Sequence, residues 1–145
     1  MSKEHFNLIY EGALVHCSIE PTNKILYCEW LAANEMPSEE LFKQEVIACF
    51  ELIREKACSK VLDNSIAVNY PIHPEIQQWV ADYMQQLAKE GYLKKYALIM
   101  PVDMIAELSN EQIIDEVNQA QQHNEAVVDI RNFYDEQQAL NWLIS

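Results

Sequence analysis

Four times along this chain, a short apolar run of strand length is followed by an amphipathic segment of helical period with a readable start. That alternation constrains the fold more than any other feature, because successive β-α-β crossovers have one hand and build a parallel sheet. Before the first helix lie further strand-like runs. Phe6–Tyr10 reads as a first strand, and Ala13–Glu20 and Ile25–Leu31 alternate on either side of Pro21-Thr22-Asn23-Lys24, which has turn chemistry. If Glu20 pairs with Ile25, then Ile19 faces Leu26, Cys17 faces Cys28 and Val15 faces Trp30, giving one apolar face. Ser18–Tyr27 and His16–Glu29 fall on the other. The predicted order is βββαβαβαβα, an α/β fold with a mixed, largely parallel sheet, an antiparallel N-terminal hairpin and about four helices.

The helix starts follow from end chemistry. Pro37-Ser38-Glu39-Glu40 places a capping hydroxyl and two acids at a positive helix end, and Phe42, Val46, Cys49, Phe50, Ile53 and Ala57 recur behind it at helical spacing. Lys60–Ser65 reads as a short strand ending in polar groups. Pro74 opens a second helix with the stripe Ile76, Val80, Tyr83 and Leu87, flanked by Trp79 and Met84, and Gly91 closes it. Tyr96–Met100 has the continuous apolar character of a central parallel strand. Asp103–Leu108 is predicted as a single helical turn, and Ser109-Asn110-Glu111-Gln112 as a capping box opening a helix to about Gln122. Ala126–Phe133 is the expected last strand, and Asp135 the cap of a final helix carrying Ala139, Leu140, Trp142 and Leu143.

The 145 residues fit one domain, residues 1–145, and half of them are hydrophobic, which is ample for a core. The only glycines, Gly12 and Gly91, are too far apart to write a phosphate-binding loop, so dinucleotide and Walker motifs are excluded. Ten basic against 23 acidic residues give a net charge of −13, which opposes binding to nucleic acid and to anionic membrane surfaces. No stretch approaches the ~20 apolar residues of a membrane span, and Met1–His5 lead into a strand-like run rather than a signal peptide. A cytoplasmic protein with four reduced cysteines is expected. The cysteines show no C-x-x-C spacing, Cys17, Cys28 and Cys49 fall on core positions, and no metal site or cofactor is expected.

Taken together, Val61-Leu62-Asp63-Asn64-Ser65, Ile76-Gln77-Gln78-Trp79 and Ala139-Leu140-Asn141-Trp142-Leu143 in this element order resemble the small anti-sigma-factor-antagonist (STAS) domains and the related CRAL-TRIO-like single-domain proteins. The resemblance spans essentially the whole chain. In the signalling branch of that superfamily, a serine or threonine after an aspartate at this strand end is phosphorylated by a partner kinase. Ser65 is the residue that matches. The family pattern continues directly with a glycine and a helix, whereas here Ile66–Pro71 intervene. The CRAL-TRIO likeness instead implies an apolar ligand pocket.

Polar groups at the carboxyl end of a parallel strand mark the usual ligand edge of an open α/β sheet, so Asp63, Asn64, Ser65, Tyr70 and His73 form the candidate ligand- or partner-binding set. The leading expectation is a non-enzymatic STAS-like regulatory module that binds a protein partner, as monomer or homodimer. The alternative is a domain binding a small molecule or lipid in an apolar pocket near residues 63–73. A partner module predicts a flat polar edge around Ser65, a ligand module an apolar cavity near Tyr70 and Trp79, and an enzyme a cleft with convergent titratable groups.

Overall fold

The computed structural model describes residues 3–121 and 128–145. Its order is β1 (Asn7–Glu11), β2 (Val15–Glu20), β3 (Ile25–Trp30), α1 (Glu39–Glu55), β4 (Lys60–Asn64), α2 (Pro74–Lys89), β5 (Lys95–Ile99), α3 (Met104–Ala120), β6 (Asp129–Phe133) and α4 (Glu136–Ile144). The six strands form one sheet in sequence order, antiparallel from β1 to β3 and parallel from β3 to β6. This is the expected α/β architecture.

The β2–β3 register is the one the alternation demands: Val15 pairs with Trp30, Cys17 with Cys28, Ile19 with Leu26 and Glu20 with Ile25. Ser38 caps α1 by accepting from the Leu41 amide at 3.1 Å. Gly91, at φ +84°, follows the last turn of α2, a conformation that costs glycine nothing.

Crossovers of one hand that step repeatedly in one direction put their helices on the same face. The main core accordingly joins α1, α2 and α3 to Val15, Cys17, Leu26, Cys28, Val61, Tyr96 and Leu98. The opposite face is left to α4, whose Ala139, Leu140 and Leu143 bury Ile25, Tyr27, Leu62, Ala97 and Ile99. So β3 is buried on both faces, and the half-buried hairpin expected from its alternation holds for β2 but not for β3.

Three further expectations are corrected. Asp103–Leu108 is not an isolated turn: α3 runs unbroken from Met104, capped by Asp103, which accepts from the Ile105 and Ala106 amides. Ser109 is therefore not a cap. It lies buried in the helix and its hydroxyl donates back to the Ile105 carbonyl at 3.3 Å, an alternative open to any helical serine. Ala57 lies beyond α1, at φ 53°. Trp79, on the flank of the α2 stripe, is half-buried, with Lys43 over its ring and Tyr83 edge-on to it. The predicted helix end at Gln122 and strand start at Ala126 lie outside the described residues.

Because α4 supplies most of the buried cover on the second face, Leu140→Ala should cost ~2–5 kcal/mol in denaturant unfolding. Trp79→Ala should cost less than that, since its ring is half in solvent; a larger loss at Trp79 would contradict this placement.

Candidate functional site

Asp63 is the first polar residue on the helix-covered face of β4. In register it lies between Cys28 on β3 and Leu98 on β5, with Tyr96 two residues back on β5. One carboxylate oxygen accepts from the Ser65 hydroxyl at 2.8 Å and the other from the Tyr96 hydroxyl. Asn64, one residue on, faces the opposite way and donates to the Tyr27 hydroxyl at 2.9 Å, while its carbonyl oxygen accepts from the Ile66 amide at 3.1 Å. The Ser65 amide continues the sheet by donating to the Ile99 carbonyl at 3.1 Å. Asp63, Asn64 and Ser65 are all buried.

Residues 66–73, longer than a β-α connection needs, fold down over these strand ends. Asn69 bonds the Ala33 backbone twice, donating to its carbonyl and accepting from its amide, both at 3.0 Å. The Ile72 amide donates to Ser109 Oγ at 3.2 Å, and Gln77 donates to the Ile72 carbonyl at 2.8 Å. Val68 and Tyr70 are buried as part of the main core. The loop closes a cavity of about 40 Å³ lined by Asp63, Ser65, Tyr70, Tyr96 and Asn110 on its polar side and by Trp30, Phe50 and Val80 among its apolar walls. The Tyr70 hydroxyl is buried and has no hydrogen-bond partner among the described residues. At that volume the space holds a few water molecules at most.

The structure thus brings Asp63, Ser65 and Tyr70 together, turns Asn64 toward α4, and leaves His73 exposed at the start of α2, in an adjoining shallow groove with Met36, Pro37 and Ile76 that Tyr70 also lines. Tyr96 and Asn110 complete the cavity. Neither was singled out beforehand, because a tyrosine in an apolar strand and an asparagine in a helix carry no local signal of convergence. The edge is not the flat polar surface around Ser65 that was expected of a partner module: Ser65 is buried and the exposed residues there are largely apolar. On the segments that follow β4, β5 and β6 stand Ile66, Val102, Met104, Ile105, Leu108 and Tyr134, all exposed, with Val102 and Met104 at 83% and 84%. Trp79 does not line the cavity.

Burial drives the electrostatics. Removal from water raises the Asp63 carboxyl from 3.8 to about 6, against the opposing hydrogen bonds from Tyr96 and Ser65. Burial, and next the Asp63 charge, raise both the Tyr70 and Tyr96 hydroxyls.

Neither a family profile nor a curated protein matches the chain. Among solved structures, it is similar to a chain in the crystal structure of diguanylate cyclase SiaD in complex with its activator SiaC from Pseudomonas aeruginosa. The identity is 12%, the match covers 87% of this chain and 98% of that one, and the TM-score is 0.38. A likeness at that score carries no argument about what this chain does.

The fold favours the protonated form of Asp63, so the stability it contributes is complete below about pH 4 and is lost as pH rises through about 6. Asp63→Asn removes the titration. Relative to wild type, the variant should gain up to about 3 kcal/mol between pH 4 and pH 7, at about 1.36 kcal/mol per pKa unit. Parallel stability–pH curves for the two proteins would contradict the burial of this carboxyl.

Proposed function

We propose that this chain is a non-enzymatic, STAS-like regulatory module that docks a protein partner on the carboxyl edge of its parallel strands. The observation that carries the reading is the exposed apolar cluster at that edge. It gathers Ile66 after β4, Val102, Met104, Ile105 and Leu108 around the start of α3, and Tyr134 after β6. The segments are joined: the Val102 amide donates to the Ile66 carbonyl at 3.4 Å, and the Tyr134 hydroxyl donates to Glu107 at 3.4 Å. Large side chains this exposed and this close together are favourable only when something covers them. Asp103 and Glu107 rim the cluster, so a partner with an apolar centre and a basic border is complementary in shape and charge.

The same geometry weighs against the other readings. A cavity of about 40 Å³ has no room for a lipid or a drug-sized ligand. The titratable groups that converge there are sealed, and both Asp63 oxygens are already bonded to the protein. Ser65 is buried with its hydroxyl committed to Asp63, so phosphorylation at Ser65 requires the 66–73 loop to lift. A phosphate there would sit beside a buried carboxyl and act as an off-switch by repulsion.

A photo-crosslinking residue introduced at Met104, in the organism the protein comes from, should capture one discrete partner of different sequence. The same residue at Gln138, exposed on α4, should capture none. Equal capture at both positions, no capture at Met104, or capture of a second copy of this chain alone would refute the proposal.

A further inference from the structure

Cys17 on β2, Cys28 on β3 and Cys49 on α1 converge on one point in the main core. Cys17 Sγ lies 3.9 Å from Cys28 Sγ and 3.1 Å from Cys49 Sγ, and all three sulfurs lie within 4.8 Å of one another. Each side chain is essentially excluded from solvent. We propose that these three thiols form a three-coordinate site for a soft monovalent cation, Cu(I), held between the N-terminal hairpin and the first helix. The site is independent of the partner-docking edge.

Two observations carry this. The first is spacing. Three sulfurs around one metal, at bonds of about 2.3 Å, stand about 4 Å apart, so Cys17 and Cys28 are already placed and the Cys17–Cys49 pair opens by about 1 Å. The second is the donor set. Among the described residues no histidine or carboxylate joins the cluster, so the fourth ligand that structural zinc takes is missing, and a soft donor set of three thiolates suits Cu(I). Each Cu–S bond forms as a thiol gives up its proton to solvent, and no electron is transferred.

The test is anaerobic titration of the full chain with Cu(I) supplied from a chromophoric chelator. Wild type and Cys58→Ala, whose sulfur lies outside the cluster, should each take up one Cu(I) per chain. Cys17→Ala, Cys28→Ala and Cys49→Ala should weaken uptake roughly 100-fold or more, since loss of even an outer-shell partner costs about 10–100-fold. X-ray absorption of the loaded wild type should show three sulfur neighbours and no nitrogen or oxygen, a readout that stands even if a cysteine variant fails to fold. No uptake by wild type, stoichiometric uptake by Cys49→Ala, or a nitrogen- or oxygen-dominated shell would overturn the proposal.

Discussion

Four parallel strands laid down in one direction leave the chain a single way to cover its sheet. The three crossover helices crowd one face, and the remaining face falls to α4. Most other features follow from that asymmetry. The three-helix face is deep enough to bury polar as well as apolar side chains, and Cys17, Cys28 and Asp63 line up there across adjacent strands. The α4 face is thin, and its closure depends on a few fully buried residues, Leu140 and Leu143 among them, against Leu62 and Ile99.

The carboxyl edge shows how far burial can invert a reading made from residue types. Asp63, Asn64 and Ser65 are the polar end of a strand, and ligand edges are usually built from such groups. Here the 66–73 loop is pinned by Asn69 and Ile72 and lies over them, so polar groups are buried against a small cavity while apolar ones form the outer surface. A buried carboxyl whose pKa is raised to about 6 is part of how that edge is held together, through Ser65 and Tyr96. The surface available to a partner is the apolar rim above it.

Local chemistry was legible in the sequence wherever it decided the structure. The hairpin register could be read because period-two alternation in both strands admits only one matching of faces. The starts of α1, α2 and α4 were legible from Ser38, Pro74 and Asp135. The start of α3 was misread because Asp103 and Ser109 both carry cap chemistry six residues apart. Only packing settles that Ser109 turns its hydroxyl to Ile105 and to the Ile72 amide. Burial of Tyr27 was hidden for a different reason: the helix that covers it arrives more than a hundred residues later. The thiol cluster was legible in part: the register put Cys17 opposite Cys28, but gave no sign that Cys49 on α1 would join them. Cys17, Cys28 and Cys49 have no motif spacing, since β2, β3 and α1 each supply one sulfur. Asp63, Ser65 and Tyr70 were legible as a group, but which side of the loop they would occupy was not.

The central claim is that the strand-end polar groups are sealed beneath an exposed apolar rim. Solvent paramagnetic relaxation of methyl groups, with a soluble neutral spin probe in the free protein, tests it most directly. The account predicts strong enhancement at the methyls of Val102, Met104, Ile105 and Leu108. It predicts almost none at Val68 and Val80, which wall the cavity. Protection of the four rim residues, or enhancement at Val68 and Val80 equal to theirs, would contradict it.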